Sequence, residues 1–155
     1  METAIVALHL LAAAVWVGGT VALVFIAVPY ARSLSGEQRA AALRALGGRW
    51  KPLGWGAMAL LVATGLALAA EDGVFDGEAE SDFTILFAVK TGLVGALIVL
   101  AALHDFVLGP RLARQIREGE PQTARPTLVL VGWSSFALTI AVPVLGVVLA
   151  ELGHG

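Results

Sequence analysis

Four long apolar runs, roughly residues 3–29, 53–70, 83–108 and 127–150, take up most of the 155-residue chain. A helix rises about 1.5 Å per residue, so each run crosses, or nearly crosses, a hydrocarbon core about 30 Å thick. A soluble four-helix bundle carries a polar face on every helix, and these runs have almost none. The composition agrees: 58% of the residues are hydrophobic, 14% are charged, and the mean hydropathy is +0.85. The expected fold is an all-α polytopic membrane protein, a bundle of four transmembrane helices forming one domain over residues 1–155.

The charges set the expected orientation. Nine of the ten basic residues lie in two connections. Arg32, Arg39, Arg44, Arg49 and Lys51 fall between Tyr30 and Pro52, and Arg111, Arg114, Arg117 and Arg125 between Pro110 and Pro126. The connection 71–82 has no Lys or Arg but holds Glu71, Asp72, Asp76, Glu78, Glu80 and Asp82. Short loops rich in Lys and Arg stay on the cytoplasmic side. An N-out, C-out topology follows, with both termini and the acidic loop outside. Met1-Glu2-Thr3 lacks the basic region that opens a cleavable signal, so the first run is expected to be a retained helix. With no cysteine, disulfides and thiolate metal sites are excluded.

Ser35 and Gln38 have the spacing of a capping box, and Ala40, Leu43 and Leu46 share a face ahead of Gly47-Gly48. This predicts a short amphipathic helix in the first cytoplasmic loop, ending at the glycine pair, with Trp50 as an interfacial anchor. A solvated connector is the alternative. Small residues recur every four positions as Ala14/Gly18/Ala22, Ala59/Ala63/Ala67 and Ala88/Gly92/Ala96. Helices in lipid associate by close backbone approach, so these stripes are the expected packing faces. Pro143 is expected to kink the fourth helix. No convincing internal repeat is evident, although the first and third runs each carry a basic group about seven residues from their outer ends.

Those groups are His9 and Lys90, and with His104 and Asp105 they are the ionisable residues expected at membrane depth. Such groups are costly in lipid and usually face the protein interior or a water-filled cavity. His9 shares a helical face with Ala13, Trp16, Thr20 and Ala27, a surface too small and polar for lipid. It reads either as a ligand for a metal or haem or a proton relay, or as a histidine hydrogen-bonded to a neighbouring helix. Lys90 reads either as the counter-charge of an anionic ligand or as a lysine snorkelling toward the acidic loop; its face points away from the Ala88/Gly92/Ala96 stripe. His104 lies fourteen residues beyond Lys90 on nearly the same face. With Asp105, Arg111 and Arg114 it is expected to form a secondary polar site at the inner interface, Asp105 pairing with an arginine.

The stretch Leu8-His9-Leu10-Leu11, continuing to Trp16-Val17-Gly18-Gly19, resembles the first helix of the CopD family, named for a copper-resistance membrane protein. The Thr64-Gly65 pair, Lys90 and His104-Asp105-Phe106-Val107-Leu108-Gly109-Pro110-Arg111 resemble small bacterial members of the same family. The resemblance covers nearly the whole chain. It implies a bacterial cytoplasmic (inner) membrane protein that handles or transports copper. The His-then-Lys placement also resembles the four-helix HemJ-type protoporphyrinogen oxidases, which bind haem b. By that resemblance His9 and Lys90 are the cofactor positions. The arginine expected soon after the first-helix histidine has no counterpart before Arg32.

Three readings stay open: a copper-handling CopD-like protein with a small-ligand site at His9, Trp16 and Lys90; a haem b protein with His9 as axial ligand; and an accessory subunit of a larger respiratory or photosynthetic complex. Copper(I) prefers sulfur donors, and the only methionines are Met1 and Met58. The expected partners are the lipid bilayer and a homo-oligomer or larger membrane complex. Nothing resembles a nucleotide-binding loop, a catalytic triad or a nucleic-acid surface.

Overall fold

The computed structural model describes residues 2–77 and 81–152, and all regular structure among them is helical. Helix α1 (Glu2–Ala22) runs through a π-helical turn (Leu23–Ala27) into α2 (Val28–Ser33), and α3 (Gly36–Glu71) follows. Helix α4 (Ser81–Ala102) runs through a second π-helical turn (Leu103–Leu108) into α5 (Gly109–Glu118), and α6 (Ala124–Leu152) completes the set. Four continuous stretches, Thr3–Ser33, Gly36–Glu71, Asp82–Glu118 and Ala124–Leu149, are long and apolar enough to cross a membrane. The expected four-helix membrane fold is present. Glu78 and Glu80 of the acidic connection, and His154, lie outside the described residues.

The helices run further than the sequence predicts. The expected amphipathic segment is helical, but it does not stop at Gly47-Gly48; it is the first part of α3, which also continues through Pro52. A glycine costs a helix only about 1 kcal/mol. Among the described residues, positive φ occurs at Gly73, Gly77 and Gly119 and at neither glycine of the pair. Ser35 takes the N-cap position with extended backbone, yet its hydroxyl donates to Gln38 Oε1 at 2.8 Å rather than capping a backbone N–H. Helix α6 continues through Pro143.

Both π-helical turns end two residues before a proline, whereas Pro52 and Pro143 lie within α3 and α6 without one. Pro29 and Pro110 stand at the second position of α2 and α5. A proline ring meets the carbonyl four residues earlier, here that of Phe25 or Phe106, and offers no N–H to it. Widening the turn by one residue relieves that clash without ending the helix.

The chain divides into two compact units, Met1–Ala79 and Glu80–Gly155. In the first, α1 packs on α3. Ala12 and Trp16 are buried on α1, and Gly54, Ala57, Met58, Thr64 and Ala69 on α3. The Trp50 ring is wedged between the helices: a Cβ on Gly19 would collide with its Cζ3 and Cη2, and one on Gly54 would lie 3.0 Å from its Cε2. Trp16 packs against it, the rings tilted by 37° with centroids 6.0 Å apart. Trp50 is therefore a packing residue of this unit.

In the second unit α4 packs on α6. Leu97, Ala101 and Leu108 are buried on one side, and Val131, Thr139 and Leu149 on the other. The small-residue stripes do not make these contacts. Ala14, Gly18, Ala22, Ala59, Ala63, Ala88, Gly92 and Ala96 are all exposed, and a Cβ on Gly18 or Gly92 would meet nothing within 4 Å. Large side chains seated on individual glycines do the packing instead.

The two units share one internal plan. An offset of 81 residues, from 9 to 90, carries His9 onto Lys90, Phe25 onto Phe106, Pro29 onto Pro110 and Gly65 onto Gly146, without a gap. Each unit has a long helix, a π-helical turn before a proline, and a returning helix. The repeat escapes a reading of the sequence because the aligned residues are mostly unlike; the shared depth of His9 and Lys90 in their runs is its one trace.

Candidate functional site

His9 faces α3. Its Nδ1 lies 2.7 Å from Thr64 Oγ1, and a Cβ on Gly65 would sit 3.5 Å from its Cε1. For a neutral ring, the hydrogen bonds around Thr64 favour one tautomer. The Thr64 hydroxyl has one proton and donates it to the Leu60 carbonyl at 2.6 Å, with Leu61 O at 3.3 Å. Its oxygen then accepts from His9 Nδ1–H, which leaves the ring's lone pair on Nε2. A hydrogen bond of this kind fixes ring orientation. Thr64 is buried, and the ring is in van der Waals range of Gly65. Two turns along α1, Trp16 closes the same face by a tilted contact with Trp50, and the Thr20 hydroxyl donates to the Trp16 carbonyl at 2.7 Å.

Lys90 holds the corresponding place in the second unit. A Cβ on Gly146 would lie 3.3 Å from its Nζ, so the half-buried amine rests against the α6 backbone. Its face, shared with Leu97, Ala101 and His104, does point away from the Ala88/Gly92/Ala96 stripe, but it is the face that packs; the expectation that the stripe packs is corrected. The reason is that Ala88, Gly92 and Ala96 lie on the opposite, exposed face of α4.

His104 follows the same rule fourteen residues on. It sits over Gly132, a Cβ there being 3.6 Å from its Cδ2 and Nε2, and Gly132 is likewise fourteen residues before Gly146. Its Nδ1 is 2.9 Å from Asp105 Oδ1, both groups lying in the second π-helical turn. Arg111 and Arg114 are exposed on α5, beyond that turn. Among the described residues no three His, Asp or Glu side chains converge to hold a metal by themselves. Thr64 and Gly65, which enter the sequence reading only through a family resemblance, are the partners of His9 that geometry supplies.

Residues 44–150 match the family model described as copper resistance protein D, CopD. The matched region includes Thr64, Gly65, Lys90, His104 and Gly146, and His9 precedes it. No match to the chain is found among curated proteins or among solved structures.

Proposed function

This chain belongs to the CopD family, and from that premise we propose that it is a membrane protein that takes a small ligand at His9, with copper ions as its cargo. The observation that supports the reading is the Thr64–His9 hydrogen bond, which holds the imidazole from its Nδ1 side within a stretch long and apolar enough to cross a membrane. Under the expected topology this position is in the outer half of the bundle. The chain has no cysteine, and copper(I) favours sulfur. One oriented imidazole suits a transfer step, or a site completed by another molecule, better than a closed metal centre. In the second unit Lys90 offers a cation to an anionic group of a ligand.

A haem b protein is the second reading, because an axial histidine also needs its ring oriented from behind. One experiment separates the two. Oxidised and dithionite-reduced absorption spectra are recorded on detergent-purified protein, with elemental analysis of the same sample, for wild type and His9→Ala. Stoichiometric copper that His9→Ala loses supports copper handling. A Soret band that His9→Ala loses replaces copper with haem b. A colourless, metal-free protein whose copper binding and copper-dependent growth are unaffected by His9→Ala refutes the site and leaves the accessory-subunit reading.

A further inference from the structure

We propose that the second unit carries a binding site for an anionic phospholipid, at the groove where α5 leaves the apolar part of its helix. The groove is open, with a volume of about 540 Å³, and is lined by Phe106, Val107, Pro110, Arg111, Arg114 and Arg117. Its two halves differ in chemistry. Phe106 and Val107 are 58% and 52% exposed and stand in the last turn of the apolar run. The three arginines follow at intervals of three residues, so their guanidinium groups line one side of α5.

Charge complementarity identifies the occupant. Guanidinium groups bind phosphate oxygens through paired N–H donors, and three of them favour a headgroup with net negative charge over a zwitterionic one. Arg114 has Glu118 at 3.8 Å, a partner on the same exposed face, whereas neither Arg111 nor Arg117 forms an ion pair among the described residues. A soluble anion has no use for Phe106 and Val107. A phospholipid does, because its acyl chains begin where its phosphate ends. The cations and the apolar side chains meet at the end of a membrane-spanning stretch, the level at which a lipid has both parts.

The internal repeat shows that the arginines are not required by the shared plan. In the first unit Tyr30 and Ser33 occupy the places of Arg111 and Arg114, and α2 ends before reaching a counterpart of Arg117, although Phe25 and Ile26 repeat Phe106 and Val107. The basic stripe is an addition to one copy.

The test is lipid binding by native mass spectrometry of the intact, detergent-purified protein, titrated with phosphatidylglycerol and, separately, phosphatidylcholine. The variants are the triple R111Q/R114Q/R117Q and a charge-matched control, R32Q/R44Q/R49Q. Thermal unfolding of each checks folding, and the single variant R111Q serves if the triple fails to fold. Wild type is expected to prefer phosphatidylglycerol. The groove triple should weaken that binding roughly tenfold or more, because it removes the charge-assisted guanidinium–phosphate hydrogen bonds, and the control by less than about twofold. Equal losses in both triples, or no preference between lipids in wild type, overturn the proposal. So does displacement of the lipid by inorganic phosphate at equal concentration, which would make the site one for a soluble anion.

Discussion

Replacing Gly19 with alanine probes how α1 and α3 are held together. The new methyl group would collide with Cζ3 and Cη2 of Trp50, and Cε3 lies 3.2 Å away. The indole has little room to retreat. Its other edge rests on Gly54, where even a Cβ would be 3.0–3.2 Å from three ring atoms, and Trp16 packs beside it. Overpacking of this kind costs about 1–3 kcal/mol. Alanine also gains about 1 kcal/mol of helix propensity over glycine, which masks part of the cost. Gly18→Ala separates the two effects, because its methyl group meets nothing within 4 Å. Unfolding of both variants in mixed detergent–SDS micelles, followed by helical circular dichroism, gives the comparison. G19A is expected to be less stable than G18A by about 1–3 kcal/mol, and Trp50→Phe in the G19A background should recover part of the loss. Equal stability of G19A and G18A would refute the wedge.

Two further outcomes follow from hydrogen bonds. Thr64→Val keeps the shape of Thr64 but removes the acceptor for His9 Nδ1–H, so any metal or haem held at His9 should bind roughly 10–100-fold more weakly. Thr64→Ser should retain it, and equal binding by both variants, measured by titration in detergent, would deny Thr64 its orienting part. Gln115 is buried, donates to Thr123 Oγ1 at 2.7 Å and accepts from the Ala124 N–H at 3.2 Å, tying α5 to the start of α6. Gln115→Leu should cost about 1–3 kcal/mol by leaving those groups unpaired. It should also speed tryptic cleavage at Arg117, and unchanged cleavage would show that Gly119 and its helix-ending backbone bonds hold the turn alone.

The four membrane-spanning helices were legible in the residue order because lipid solvates no backbone amide. A run of about twenty apolar residues in a bilayer has little choice but to satisfy its hydrogen bonds internally as helix. His9, Lys90 and His104 were legible as candidates for the same reason, since a polar group is conspicuous against Leu, Val and Ala. Helix ends were not. Gly47-Gly48 and Pro110 look like stops, but α3 absorbs the glycines and the π-helical turns accommodate the prolines.

Only the tertiary structure decided which face of each helix packs. Alanine, glycine and leucine are nearly equivalent to lipid, so hydropathy does not mark a buried side, and spacing alone selected stripes that turn out to be exposed. The packing faces are set by pairs distant in sequence: Trp50 on Gly19, His9 on Thr64 and Gly65, Lys90 on Gly146, and His104 on Gly132. In each pair one member is a large or polar side chain and the other the place that receives it. That match becomes visible only when two helices are brought side by side.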